Sequence, residues 1–168
     1  MAQDPNNYWE QLERLEKLIR ASELKAGIVF SFHSLILGLF ADRIERFREV
    51  FVDNTVLLIL LVCWLTLVAI SIFYCFRCFK PQIELSYNKN VFFFRDAVNK
   101  FGDTDQYTTE LIKVCGSEKE LYKLLAEQIH TESKIINLKF KNVRKSILFF
   151  ALSFLFIILT TLYWILFA

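Results

Sequence analysis

Glycine, proline and histidine are scarce in this sequence, with four, two and two residues among 168. That scarcity leaves no Gly-rich loop to cradle phosphate, no nucleophile elbow and too few imidazoles for a His-built metal centre. A surplus of one charge is missing too. Twenty Lys and Arg stand against 18 Asp and Glu, so a nucleic-acid binder that neutralises many phosphates is excluded and neither DNA nor RNA is an expected partner. The four cysteines do not fill the gap. Cys75-Phe-Arg-Cys78 has redox or zinc spacing, but no second Cys pair or His pair completes four ligands. These cysteines read as small apolar residues of a hydrophobic helix, and no metal or cofactor is expected. No candidate nucleophile or base has an orienting group in pattern with it, so the chain is not expected to be an enzyme.

What is present is apolar. Hydrophobic residues make up 55% of the chain, 18 of them Phe, and the mean hydropathy is +0.37. Three stretches carry no Asp, Glu, Lys or Arg: Ala26 to Ala41, Thr55 to Phe76 and Ser146 to Ala168, of 16, 22 and 23 residues. About 20 residues of helix cross a hydrocarbon core. The second and third stretches suffice. The first reaches only about 24 Å as a helix, so it is expected to span by thinning the bilayer or by snorkelling of its flanks, with a re-entrant segment or a buried helix as alternatives. The expected fold is an all-α membrane protein with three transmembrane helices and a small helical cytosolic domain between the second and third, the last helix long and continuous. Its parts are a cytosolic amphipathic helix (1–25), a short first span (26–41), an external loop (42–54), a second span (55–76), a cytosolic sensor domain (77–145) and a third span (146–168).

Basic residues set the orientation. Arg20 and Lys25 precede the first span, Arg77 and Lys80 follow the second, and Lys139, Lys141, Arg144 and Lys145 precede the third. The positive-inside rule places these on the cytoplasmic face, with the N-terminus inside and the C-terminus outside. The loop 42–54 dissents with three Arg, offset by four acids. The first 25 residues alternate in charge and lack an apolar core, so no signal peptide is expected. They form an amphipathic helix instead, with Trp9, Leu12, Leu15, Leu18 and Ile19 on one face and Asp4-Pro5 as its start signal.

Between Arg77 and Lys145 there are 13 Lys and Arg against nine Asp and Glu. That excess suits an anionic partner. Pro81 ends the second membrane helix. A helix is expected from Asn88 or Asn90 to Gly102, a second from Thr104 to Cys115 behind Asp103 and closed by Gly116, and a third capped by Ser117. No Gly or Pro follows Ser117, so the last helix would run unbroken for about 75 Å. Leu121, Leu124, Leu125, Gln128, Ile129, Ile135, Ile136 and Leu138 form its cytosolic apolar stripe. A tilt at Gln128 would then be felt at Ile157, unless a hinge near Asn142 decouples them. His33 lies within the first span, where polar groups are costly and often functional. With Ser31 and Ser34 it could line a wet pathway or an oligomer seam, against the plainer reading of a neutral imidazole bonded to a neighbouring helix.

Several short motifs occur in a fixed order: Glu23-Leu24-Lys25-Ala26 opening the first span, Pro81 after the second, Asn90, Phe93, Phe94 and Asp96 in the pattern Asn-x-x-Phe-Phe-x-Asp, Asp105 with Tyr107, Gln128-Ile129, Ser133 with Ile135, and Lys139-Phe140. Together, from about Trp9 to the C-terminus, the chain resembles the transmembrane effectors of bacterial Pycsar anti-phage systems. Ser22-Glu23 stands where that family usually has Ala-Asp, and Arg95 where it has a small residue. The resemblance implies an inner-membrane effector paired with a pyrimidine cyclase. Cyclic UMP or cyclic CMP made on infection would prompt it to impair the bilayer, and the cell would die before phage release by abortive infection. Such a ligand carries one negative charge and a flat base, so residues able to contact it are Arg95, Lys139, Tyr107, Asn90 and Gln128. Each also has a bland reading: Asn90 as a helix cap, Gln128 as a bridge between helices, Lys139 as a solvated or lipid-phosphate contact. Moving a population from 1:99 to 99:1 takes about 5.5 kcal/mol of differential affinity, more than one small domain readily offers, so a homo-oligomer sharing the ligand is expected. The rivals are a membrane effector of another nucleotide messenger and a small channel or accessory subunit controlled by a protein partner.

Overall fold

The structure is a computed structural model of the chain and describes residues 4–45, 54–80 and 89–167. Most of the expected external loop (46–53), together with Pro81 and the turn after it, lies outside the described residues. Among the described residues there are helices and no strands. Three of the helices are long and apolar enough to cross a membrane.

The first helix, α1 (Asn6–Asp42), joins the amphipathic segment and the first apolar stretch into one element of 37 residues. Asp4 accepts the Asn6 N–H at 3.0 Å and the Pro5 carbonyl accepts that of Tyr8 at 3.0 Å, so the start signal works as expected. Helix α2 (Thr55–Phe79) begins at Asn54, whose side chain accepts from Val56 and Leu57 at 3.0 and 3.3 Å. Helix α3 (Phe94–Asn99) is much shorter than the sequence suggests. The expected start near Asn90 is instead a turn over Val91 to Phe93, and the segment stops before Gly102, which takes φ +73. That left-handed value suits glycine and turns the chain into the next cap. Helix α4 (Thr104–Cys115) has the expected bounds, with Asp103 accepting the Gln106 N–H at 2.9 Å. Gly116 closes it at φ −77 through its own N–H rather than in a left-handed cap. Helix α5 (Glu118–Phe167) then runs 50 residues, passing Asn142 without a break.

By contacts the chain divides into a polar unit, 1–20 with 81–137, and an apolar unit, 21–80 with 138–168. These contact boundaries do not mark where lipid begins. The polar unit has a small core of Val91, Phe101 and Val114, flanked by Phe92, Tyr107, Leu111 and Leu124. Leu15 from α1 and Leu125 and Ile136 from α5 are also buried, whereas Trp9 is 45% exposed and meets Phe92 edge-on at 5.5 Å. Tyr8 stacks on Tyr122 at 5.2 Å. Leu138, expected on the buried stripe, is exposed.

The apolar unit is organised the other way round. Its buried positions among the described residues are Ser22, Ala26, Val29 and His33 on α1, Leu57, Trp64, Val68, Ser71, Cys75 and Cys78 on α2, and Lys139, Val143, Ser146 and Ser153 on α5. Steps of four and three recur on each helix, the knobs-into-holes spacing of a left-handed bundle. Most of these residues are small or polar, while Ile28, Phe32, Leu35, Phe73, Leu155 and Leu159 face outward. Small side chains let helix backbones approach closely where lipid removes any hydrophobic drive to pack.

Candidate functional site

In the polar unit the expected ligand residues Asn90 and Tyr107 come together, and both are engaged in the fold. Asn90 is 1% exposed. Its Oδ1 accepts the Phe92 N–H at 2.9 Å, forming the Asx turn that replaces the expected helix start. Its Nδ2 donates to the Leu124 carbonyl of α5 at 2.9 Å, and its backbone N–H donates to Asp96 Oδ2 at 2.9 Å. Asp96 is buried as well, with Lys100 Nζ 3.0 Å from Oδ1. The Asn-x-x-Phe-Phe-x-Asp motif is therefore a clamp: its Asn and its Asp hold one tight turn from both ends. Tyr107 donates its hydroxyl to the Val91 carbonyl at 3.1 Å within the same turn. The bland reading of Asn90 as a cap is close, but the carbonyl it reaches is on another helix.

Arg95 is exposed on α3, where its carbonyl accepts from Asn99 Nδ2 at 2.8 Å. Gln128 is half-buried and donates to Glu132 Oε1 at 2.8 Å along α5. Burial pushes the Glu132 carboxyl above the usual carboxylate range and the charge of Glu16 adds to this, against the opposing hydrogen bond from Gln128. An open hollow of about 370 Å³ lies beside Phe101, lined also by Lys89, Asp105, Gln106, Thr109 and Glu110. Lys89 Nζ sits 3.9 Å over the centre of the Phe101 ring. One cation faces two acids there, a poor match to a lone phosphodiester but a workable reader of N–H groups on a base edge.

Lys139 does not join this group; it belongs to the apolar unit and is 4% exposed. The expectation of a solvated or lipid-facing side chain is corrected by its contacts. Its Nζ lies 2.7 Å from Glu23 Oε1 on α1 and donates to the Cys78 carbonyl in the last turn of α2 at 2.6 Å. The cation thus meets a carboxylate and the negative end of a helix together, tying α1, α2 and α5. Cys78 Sγ reaches the Ser22 carbonyl at 3.8 Å, and Ser71 Oγ donates to the Ser146 carbonyl at 2.8 Å. His33 lies in the interior of the same unit at 1% exposure. Neither ring nitrogen has a hydrogen-bond partner, so the plain reading of an imidazole bonded to a neighbouring helix is not realised.

Sequence reading named Asn90, Asp96, Glu23 and Lys139 as parts of motifs but did not join them as partners. It also missed the buried serines. The four-three spacing of Lys139, Val143, Ser146 and Ser153 was the available signal.

A family model described as the Pycsar effector protein domain matches residues 7–166. The chain belongs to the Pycsar effector family. The match takes in every motif described above, including both the polar clamp and the Glu23–Lys139 pair. This Pycsar effector is also similar to the Pycsar effector protein PtPycTM of Propioniciclava tarda, with 26% identity over 148 residues, 83% of this chain and 70% of that protein. No solved structure matches. Family and helices together make it a membrane protein that serves as an effector of bacterial anti-phage defence.

Proposed function

We propose that this Pycsar effector is switched on by a cyclic pyrimidine mononucleotide, cyclic UMP or cyclic CMP, made by a paired pyrimidine cyclase, and then impairs the inner membrane to cause abortive infection. It acts without catalysis. The N-terminus and the segment 77–145 face the cytoplasm, where the ligand is made, and the C-terminus faces outward. The observation that carries the reading is α5, which belongs to the polar unit through residue 137 and to the apolar unit from residue 138 without a break. A ligand that shifts 118–137 acts on the same helix that continues into the third apolar stretch. Ligand drives this only by binding the active arrangement better than the resting one.

Asn90 and Tyr107 hold the turn at Val91, and the ligand contacts proposed are exposed Arg95, half-buried Gln128 and the hollow beside Phe101. A homo-oligomer is the active form. In support, Gly27 and Ser31 stand four apart on α1 and line an open groove with Leu24, Ile28, Phe32 and Leu35, a small-residue spacing that admits a second helix.

The test is the thermal stability of detergent-purified protein with cyclic UMP, cyclic CMP, cyclic AMP and cyclic GMP, since a ligand that binds only the folded state raises Tm. A pyrimidine-selective rise, together with ligand-dependent dye release from reconstituted vesicles, is the expected result. No rise with any of the four moves the assignment to another nucleotide messenger or to a protein partner.

A further inference from the structure

Among the described residues of the apolar unit, one buried polar side chain is left unsatisfied by its own packing. His33 is 1% exposed, and both Nδ1 and Nε2 lack a hydrogen-bond partner. The ring stands edge-on to Phe150 of α5, with centroids 5.0 Å apart and planes at 82°. Its polar neighbours in that interior are satisfied. Ser71, Ser146 and Ser153 donate to backbone carbonyls at 2.8, 3.1 and 2.8 Å, and Lys139 is held by Glu23 and Cys78.

Lys139, Ser146 and Ser153 recur every seven residues along α5, and Phe150, the ring that covers His33, falls between the two serines. A buried imidazole without a partner is worse off than a hydrated one. Because His33 is enclosed by its own chain, it cannot be a seam between copies in this arrangement. It bonds to no neighbouring helix either. In a neutral ring one nitrogen donates and the other accepts, a pair of hydrogen bonds that water can supply.

We propose that His33 is a water-binding site on a path through the apolar unit, with Phe150 as its plug: closed by that ring in the arrangement seen here, and filled by water and small hydrated ions when α5 turns Phe150 away. The proposal rests on the reading of the chain as a membrane-impairing effector, to which it adds the route of the lesion. The unsatisfied nitrogens favour the hydrated state, so an apolar replacement of similar size removes that bias and steadies the closed bundle. An uncharged polar replacement keeps it.

The experiment uses the full chain reconstituted in potassium-loaded vesicles, with potassium release followed by an external electrode after cyclic UMP or cyclic CMP is added outside, and ligand-free Tm measured in detergent. His33→Phe should cut triggered release about tenfold or more, raise the ligand-free Tm and leave the nucleotide-induced Tm shift intact. His33→Asn should keep most of the release, and His33→Leu repeats the apolar test should Phe prove too large to fold. Wild-type release from both apolar variants, or a fall in their Tm, overturns the proposal. If the wild-type protein releases nothing with either nucleotide, the effector reading is what fails. The Tm of the apolar variants then decides His33 alone: a rise supports an imidazole waiting for water, and no rise overturns it.

Discussion

The polar and apolar units differ in what packs most tightly at their centres, although each buries both kinds of residue, such as Asn90 and Asp96 in the first and Leu57 and Trp64 in the second. Inside the polar unit are Val91, Phe101 and Val114, with Phe92 and Leu124 packed on them. Inside the apolar unit are Ser22, Ala26, Ser71, Cys75, Cys78 and Ser146, all at 0% exposure. Water rewards the first arrangement, because bulky apolar side chains are what must leave it. Lipid is indifferent to Leu and Phe, so close backbone approach and hydrogen bonds hold the second. Disturbing one polar contact should therefore weigh differently in the two units, according to how deeply its charge or dipole is cut off from solvent.

The largest effect is expected at the Glu23–Lys139 pair. Its two sides are unequally sheltered, at 40% and 5% side-chain exposure. Glu23→Ala strands a buried cation with only the Cys78 carbonyl, at a cost of about 3 kcal/mol. Lys139→Met leaves a carboxylate that can still reach water, and its apolar stem keeps the packing, so the loss should be smaller. Chemical denaturation in detergent checks the order. A greater loss from Lys139→Met would show that the pair is not governed by the burial of the cation.

Next comes the clamp of the polar unit. Asn90→Ala removes two hydrogen bonds at a buried position and leaves the Phe92 N–H without its acceptor, for about 2 kcal/mol. Tyr107→Phe removes one bond to the Val91 carbonyl, for about 1 kcal/mol. Both should lower Tm with and without nucleotide by the same amount, as structural residues do. Unchanged stability with a vanished ligand shift would return these residues to the ligand site.

In the apolar unit a comparable single bond should matter less. Ser71→Ala removes the donor to the Ser146 carbonyl, and a hydrogen bond between membrane helices contributes roughly 0.6 kcal/mol. The substitution also leaves a methyl group that packs well between helices. A loss from Ser71→Ala greater than that from Tyr107→Phe would invert the comparison between the units.

Much of the architecture was legible because it follows from length and from breakers. Three charge-free stretches marked the membrane helices, and the lack of Gly or Pro after Ser117 announced the 50-residue α5. The helix Thr104–Cys115 was readable from Asp103 and Gly116 at its ends. Packing was not readable in the same way. Hydropathy is high all round a membrane helix, so it does not mark the inward face of α2, where Leu57 and Trp64 are buried along with Ser71, Cys75 and Cys78. Lys139 looked solvent-facing because lysine usually snorkels, and its burial depends on a carboxylate 116 positions earlier in sequence. Asn90 looked like a helix cap because an Asx turn uses the same side-chain oxygen and the same short reach. The candidate ligand site was the least legible part, since residue types suited to a nucleotide are equally suited to holding a turn.

The smallest effect is a pH dependence at Glu132. Burial and the nearby Glu16 raise its carboxyl above the usual range, and the Gln128 hydrogen bond only partly opposes them. The folded chain thus binds this proton more tightly than the unfolded chain does. The stabilisation is fully present below the unfolded carboxylate value and is lost as pH rises through the elevated folded value. At neutral pH the group is a small liability, under about 1 kcal/mol because it is only partly buried. Glu132→Gln is neutral at every pH and keeps an oxygen for Gln128 Nε2. It should therefore raise Tm near about pH 7.5 and change little near about pH 4, and the other carboxylates, common to both proteins, cancel in the difference. If the gain is instead largest in acid, Glu132 is held as the carboxylate by the polar unit, and the half-buried face of α5 is wetter than its packing indicates.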